Sequence, residues 1–324
     1  MINLPKLTDL DVLNKRVLLR LDLDCEPDPN DLRINASEGT LNYLKEKGSQ
    51  IIIIAHKDRP EGKVDESLSL KSFQPIFDKW GAKVEENLRF DSGEEANDPE
   101  FAKKLAALGD VYINEAFGNS HREHTSIVGL PKLLPHAAGF RFIDEVNNLS
   151  KVFDNPKRPV LFIVGGSKKD KLDYIENLEL IADKILVGGR LPDYLQDTRY
   201  SILDTKIIIA NLLPDKEDIT INSMIEFEEE IGDAGTIVLA GPMGRYEDEG
   251  HRQGTERIFK AVANSNALKM TGGGDSLSVL SIYHLNDKFD WVSVGGGAML
   301  EFLAKRTLPG IKALESANLN TEGG

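Results

Sequence analysis

The chain has 324 residues, more than one hydrophobic core usually fills, so two domains or one large α/β domain are expected and a single small module is excluded. With 40% apolar and 28% charged residues it can bury a core, which excludes intrinsic disorder. Its net charge of −14 is spread evenly, −7 over residues 1–150 and −7 over 151–324, and this excludes the concentrated basic surface that nucleic acid or an anionic membrane requires. Any anionic substrate must meet a local cluster of Arg and Lys. Short β-branched runs alternate with longer amphipathic stretches rich in Lys and Glu, the pattern of parallel strands with crossover helices. In chain order, strands are expected at 16–22, 50–55, 110–114, 159–164, 184–187, 206–210, 236–240, 267–271 and 291–294. Helices are expected at 36–47, 70–80, 98–108, 170–181, 223–231, 254–264 and 298–305. The polar stretch 143–157, running into Arg158-Pro159, reads as a connecting helix and turn. Cys25 is the only cysteine, the longest aliphatic run is Ile51 to Ile54, and the opening residues carry no signal pattern. A reducing cytoplasm is the expected location.

The residues that follow each strand differ between the two halves. The first three strands are followed by Asp22, by His56 with Arg59, and by Glu115 with Gly118, His121 and Arg122. Later strands run into Gly165-Gly166, Gly188-Gly189, Gly241-Pro242, Gly272-Gly273-Gly274 and Gly295-Gly296-Gly297. Ligands bind at the carboxyl ends of strands in open parallel sheets, because the loops there lead into helix N-termini. The fold class is therefore α/β, with two doubly wound parallel-sheet (Rossmann-like) domains, 1–142 and 159–307, that bind different things. A hinge helix spans 143–158, and 308–324 form a C-terminal segment.

One glycine pair is usually a tight turn, but five in one half suggest backbone N–H groups that cradle phosphates. The two triplets each open a predicted helix, which points to a nucleotide, with Asp275 placed to hold a magnesium ion. Lys168 and Lys171 lie near a helix start, where cations oppose the dipole unless a polyphosphate is bound. In the first half, Arg20, Arg33, Arg59, Arg89 and Arg122 sit at strand ends or in loops, and a guanidinium fork suits phosphate and carboxylate. His56, His121 and His124 share those loops, with no Cys partner and a spacing poor for zinc. The P-loop, dinucleotide and protein-kinase signatures are absent. Gly274-Asp275-Ser276-Leu277 spells the short signature of a serine esterase family, but Asp248-Glu249-Gly250-His251 precedes it and breaks that family's order.

Together these stretches resemble phosphoglycerate kinase. The N-terminal matches are Lys15 to Asp22, Leu32-Arg33-Ile34, His56 with Arg59-Pro60, Glu86-Asn87-Leu88-Arg89-Phe90, and Ala116-Phe117-Gly118 with His121-Arg122 and His124. The C-terminal matches are Gly165-Gly166-Ser167-Lys168, Gly241-Pro242-Met243-Gly244, Gly272 to Ser276, and Gly295-Gly296-Gly297-Ala298 with Leu300-Glu301. The resemblance implies reversible transfer of a phosphoryl group between ATP and the carboxylate of 3-phosphoglycerate, with Mg2+ as cofactor and domain closure that excludes water. Carried over by position, Asp22, Asp24, Arg33, His56, Arg59, Arg89 and Arg122 would bind the acid. Gly165, Gly166, Lys168, Lys171, Gly241, Pro242, Glu247, Gly273, Gly274, Asp275 and Ser276 would bind the nucleotide, with Glu247 on the ribose and Asp275 on the metal. Arg33, Lys168 and Lys171, with the helix start at Gly295, Gly296 and Gly297, would serve catalysis. The C-terminal segment would return to the first domain. Partners would be small molecules only, with neither nucleic acid nor membrane, and the chain would act as a monomer.

Several motifs depart from the family. Asp22-Leu23-Asp24 replaces Asp-Phe-Asn, Leu239-Ala240-Gly241-Pro242 replaces Trp-Asn-Gly-Pro, and Gly188-Gly189-Arg190-Leu191-Pro192 replaces Gly-Gly-Gly-Met-Ala. The lysine spacing is one residue short, and two blocks are missing, one before Glu85 and one between Arg190 and Ser223. These departures motivate a second reading, a non-catalytic relative that binds nucleotide or anion as a sensor or interaction module.

Overall fold

In the computed structural model, which describes residues 2–195 and 206–316, the β-branched runs become two all-parallel sheets. The chain divides into two units, one running up to Asn147 and resuming at Thr307, the other spanning Asn148–Arg306. The first unit holds β1 (Arg16–Arg20), β2 (Gln50–Ile54), β3 (Lys83–Val84), β4 (Val111–Asn114) and β5 (His136–Ala138), in the order β3-β2-β1-β4-β5. β1 lies between β2 and β4, with Leu19 opposite both Ile53 and Ile113. Its interior residues are buried on both faces, so its sequence is a continuous apolar run and not an alternation. α1 (Glu38–Glu46) and α2 (Pro99–Ala106) flank this sheet, and α2 starts where the Asp98 carboxylate accepts from the Phe101 N–H at 2.8 Å, with Pro99 in the first turn.

Two strands escape the sequence pattern because they are too short to show a period, namely β3 and β5. The helix expected at 70–80 is instead three short turns, Leu70–Phe73, Gln74–Phe77 and Asp78–Trp80. Pro75 has no N–H to carry the hydrogen-bond ladder through, and Gly81, at φ 65°, ends the segment.

The connecting helix α3 covers Phe140–Ser150, starting three residues earlier than the sequence suggests and ending well before 157. Its start is fixed by Glu115, just past β4, whose buried carboxylate accepts from Thr40 Oγ1 at 2.6 Å and from the N–H groups of Arg141 and Phe142, each at 3.2 Å. Gly139 leaves room for that carboxylate, since a Cβ there would lie 2.0 Å from Glu115 Oε2. Burial pushes the Glu115 carboxyl up to about 7, against the lowering effect of its donors and of Arg141. The folded protein thus holds this proton more tightly than the unfolded chain, whose carboxyl titrates near 4.5. The resulting stability is present below that value and declines as pH rises toward 7. Glu115→Gln is expected to flatten this part of the stability curve, measured by urea unfolding between pH 4 and 8. An unaltered curve would remove Glu115 as its source.

The second unit holds β6 (Val160–Val164), β7 (Lys184–Val187), β8 (Ile207–Ile209), β9 (Thr236–Ala240), β10 (Leu268–Gly272) and β11 (Trp291–Ser293), in the order β11-β10-β9-β6-β7-β8. β6 and β9 are buried along their whole length. α4 (Ile221–Asp233), α5 (Gln253–Asn264), α6 (Gly274–Ile282) and α7 (Gly296–Lys305) complete the unit, and α6 and α7 begin directly on the two glycine triplets. Both sheets have doubly wound order, with the reversal between β1 and β4 in one and between β6 and β9 in the other. The carboxyl ends of those strand pairs are where a ligand crevice is expected. The final helix, α8 (Pro309–Ser316), belongs to the first unit, where the Gly310 N–H donates to the Ser120 carbonyl at 2.9 Å and His136 Nε2 lies 3.1 Å from the Leu314 carbonyl. The last residues of the expected C-terminal segment, 317–324, lie outside the described residues, as do 196–205 in the shortened stretch after Arg190. Among the described residues no helix is long and apolar enough to cross a membrane.

Candidate active site

In the first unit, the carboxyl end of β1 delivers Arg20 into the interior, fully buried. Its Nε donates to Ser126 Oγ at 2.8 Å, its Nη1 to the Leu21 carbonyl, and its Nη2 to Nδ1 of His56 at 2.7 Å. A guanidinium only donates, so Nδ1 of His56 accepts and the ring is the neutral Nε2–H tautomer. Burial, reinforced by Arg20, Arg89, Arg122 and His124, holds His56 well below its ordinary value. His124 meets it edge to face, with ring centroids 6.3 Å apart, and burial together with the same three arginines pushes His124 to about 3. Two uncharged imidazoles among three guanidiniums mark a strongly positive locus in an acidic protein.

Arg89 sits in the turn Leu88–Phe90, oriented by Asn87, which accepts from the Arg89 N–H at 3.1 Å and donates to the carbonyls of Lys57 and Leu68. Its buried guanidinium donates to the Asp58 carbonyl at 2.6 Å, and its Nε lies 3.1 Å from Glu95 Oε1 in an ion pair without hydrogen-bond geometry. Nη2 of Arg89 and Nε of Arg122 are buried with no hydrogen-bond partner among the described residues. Leaving such donors unmet costs free energy, and an anionic ligand is the group that would meet them.

Arg33 lies in the turn Leu32–Asn35, capped by Asp31 at 2.8 Å, and its Nη1 donates to the Asp24 carbonyl. Burial works against its charge, but Asp22, Cys25, Asp31 and Asp24 outweigh burial and raise its pKa. Asp22 accepts from the Asp24 N–H at 3.2 Å, and Asp24 accepts from the Asp58 N–H at 2.8 Å, tying the loop after β1 to the loop after β2. The extra carboxylate of Asp24 is thus offset by a neighbouring arginine. Arg59 is exposed.

In the second unit, the switch point between β6 and β9 is occupied by Lys171. Its ammonium donates to the Gly165 carbonyl at 2.7 Å and the Ala240 carbonyl at 3.0 Å, which are the ends of those two strands. Burial pushes it down to about 8, with Lys168 adding to the lowering and Asp275 opposing it. The glycines around it serve a purpose other than a bare phosphate cradle. The N–H groups of Gly165 and Gly166 donate to the carbonyls of Ala240 and Pro242, and that of Gly241 to Ser276 Oγ at 3.2 Å. A Cβ on Gly241 would lie 2.6 Å from the Lys171 nitrogen and one on Gly166 3.1 Å from it, so glycine here makes room for the lysine. First-turn amides free of intrahelical partners are found instead at the starts of α6 and α7. There Gly273, at φ 97°, packs so closely on Gly296 that a Cβ on Gly296 would lie 2.6 Å from the Gly273 Cα.

A cavity of about 520 Å³ opens beside Lys171, lined by Gly166, Ser167, Gly189, Arg190, Glu217, Pro242, Gly244, Arg245, Tyr246, Glu247 and Asp275. Lys168 is exposed, as are Glu247 and Asp275 on the rim. Gly295 is buried, and Gly296 and Gly297 begin α7. Among the described residues no group of three or more His, Cys, Asp or Glu could hold a metal on its own. Asp275, a hard oxygen donor in the first turn of α6, fits a magnesium ion whose other oxygens come from phosphates. Ser276 accepts from the Gly241 N–H, while both ring nitrogens of His251 face Asp248 and Asp215, at 2.8 and 2.9 Å, so no serine triad forms.

Sequence reasoning missed Arg190 and Glu217 in this cavity, and Glu94, which is buried and accepts from the Ser126 N–H and hydroxyl at 3.0 and 2.6 Å. Arg190 carried a readable signal, being a charged residue directly after a strand-end glycine pair. Glu94 carried none, because an acidic residue in a short helical turn reads as solvated surface.

The phosphoglycerate kinase family model matches residues 7–207 and 204–306. The phosphoglycerate kinase of Dictyoglomus turgidum is 35% identical over 387 aligned positions, covering 95% of this chain and 98% of that protein. That of Buchnera aphidicola is 36% identical over 386, covering 97% and 98%. Both alignments are longer than the chain itself, so the relatives carry segments that it lacks. Among solved structures, phosphoglycerate kinase from Coxiella burnetii superposes with a TM-score of 0.80 at 30% identity, covering 97% of this chain and 99% of that one, and the enzyme from Pyrococcus horikoshii with 0.81 at 25%, with the same coverage.

Proposed function

The chain belongs to the phosphoglycerate kinase family, and from that premise we propose how its residues share the work. It is a kinase that passes a phosphoryl group between ATP and the carboxylate of 3-phosphoglycerate, a step of glycolysis. The observation that carries the reading of the site is Lys171, a buried cation at the strand-order reversal, next to Asp275 and a cavity of nucleotide size.

In this reading Arg89 and Arg122 take the acid's phosphate with their unmet N–H donors, while His56 stays neutral and offers its Nε2–H. Arg59, being exposed, closes on the ligand from outside, and Asp22 and Asp24 hold Arg33 in place. Arg33 and Lys171 stabilise the negative charge that spreads over the oxygens of the transferring group, assisted by Lys168 and by the α7 amides at Gly296 and Gly297. Gly165, Gly166, Gly241, Pro242, Gly273, Gly274 and Ser276 shape the nucleotide pocket, and Glu247 takes the ribose. Asp275 would hold the magnesium ion, which neutralises charge on the nucleotide phosphates when bound. The free Cys25 and the acidic surface support a monomer in the cytoplasm.

Ala240, where the family has an asparagine, contributes its carbonyl to Lys171, so this departure leaves the lysine supported. A coupled assay with ATP, magnesium and 3-phosphoglycerate is expected to show turnover. Absence of turnover from folded protein that still binds ADP would instead favour the non-catalytic reading.

A further inference from the structure

His251, between β9 and α5, is held by two carboxylates from different loops. Its Nδ1 lies 2.8 Å from Asp248 Oδ2 in its own turn, and its Nε2 lies 2.9 Å from Asp215 Oδ2 in the loop after β8. Each carboxylate is aimed by its other oxygen. Oδ1 of Asp248 accepts from the Gly250 N–H at 3.0 Å, and Oδ1 of Asp215 accepts from the Glu217 N–H at 3.1 Å. Both carboxylates can be met at once only by a ring that carries two N–H groups, which is the imidazolium. A neutral ring keeps one donor, and the carboxylate that loses the other faces a lone pair.

The two loops joined in this way line the cavity beside Lys171, through Glu217 on one and Gly244, Arg245, Tyr246 and Glu247 on the other. They are also joined without the ring, because the Arg245 N–H donates to the Glu217 carbonyl at 2.8 Å. The ring therefore adjusts a wall that is already built. Its charged neighbours favour the imidazolium. Asp248 first and then Asp215 raise its pKa above the ordinary 6.5, against a lowering by burial, and Asp218 on the same loop as Asp215 feels the same positive charge. Of the cations on these elements, Arg245 acts on Asp248, Arg252 stands 3.6 Å from Glu249, and Lys216 pairs with Asp193 at 2.6 Å. The second bond is thus complete below 6.5 and is lost as pH rises through the higher value of the folded protein.

We infer that His251 is a positioning residue that, in its charged form, clasps the loop after β8 to the turn carrying Glu247 and so steadies that wall of the cavity for a nucleotide. This rests on the cavity being the nucleotide site. His251 itself touches neither substrate nor the transferring group.

The test is calorimetric titration with ADP and with tripolyphosphate between pH 5.5 and 9, on the intact protein and its His251→Gln, Asp215→Asn and Lys171→Ala variants. Glutamine keeps a donor but does not titrate, so against this baseline the titrations of Lys171 and of the ligand cancel. His251 and Asp215 are partly exposed, so their variants should fold, and melting curves check this. At pH 6 the wild type is expected to bind ADP about threefold more tightly than His251→Gln. That advantage should vanish as pH rises, with its midpoint above 6.5. Asp215→Asn should move the midpoint down, since it removes one of the two charges that favour the imidazolium. Tripolyphosphate lacks the ribose assigned to Glu247 and should show no such advantage. An advantage independent of pH, one equal for tripolyphosphate, or a midpoint unmoved in Asp215→Asn overturns the inference. If Lys171→Ala weakens ADP binding while His251→Gln does so at no pH, the pocket stands and the clasp fails. If neither variant affects ADP at any pH, the pocket reading fails and the inference with it.

Discussion

Lys171→Ala is expected to lower kcat by about a thousandfold while leaving the fold intact. The ammonium is preorganised at the β6–β9 switch point by two carbonyls, and Gly166 and Gly241 reserve the space it fills. In the proposed reading, charge that builds on the transferring group meets an ammonium already held in position, and removal of one such donor from a shielded site typically costs two to three decades of rate. The fold should survive, because the Ala240 carbonyl keeps the Gly165 N–H and the loss also removes a buried charge. Turnover in the coupled assay and the melting temperature are the measurements, and an unchanged kcat would refute the assignment. The same lysine predicts a pH dependence. Its amine is pushed down to about 8, so affinity for the magnesium nucleotide should fall as pH rises through that value, and the fall should be missing in the alanine variant.

Arg89→Met should raise the KM for 3-phosphoglycerate by about a hundredfold and leave that for ATP alone, because charge-assisted hydrogen bonds are worth roughly 1.5–3 kcal/mol each. Methionine keeps the buried stem and removes the charge. Burial first, then Arg122, lowers the pKa of Arg89, with only the half-exposed Glu95 and Asp24 in opposition. The ligand-free variant is therefore expected to melt no lower than the wild type, and equal weakening of both substrates would refute the division of labour between the units.

Much of this was legible in the sequence where period or punctuation is strong. The buried β6 and β9 runs and the glycine triplets before α6 and α7 announced the second sheet, where we place the nucleotide, and Arg89 could be placed through its Asn87-centred motif. What escaped is governed by long-range packing. β3 and β5 form because β2 and β4 offer them an edge, and two or three residues carry no pattern of their own. The packing role of Gly165 and Gly166 was not legible, because glycine signals close approach without saying what approaches. Here it is a lysine nitrogen and a neighbouring loop. The burial of Arg20 against Ser126, more than a hundred residues away, is likewise a tertiary fact.

The close contact of Gly273 with Gly296 means that the starts of α6 and α7 cannot shift independently. They behave as one stiff block, whose internal freedom was surrendered when the chain folded. A nucleotide bound there, as we propose, has little backbone entropy left to remove, so its affinity should depend on contacts made and water released, with small demand for reordering. A side chain at either glycine would wedge the block apart, and binding would then weaken through restored disorder even though every contacting group remained in place.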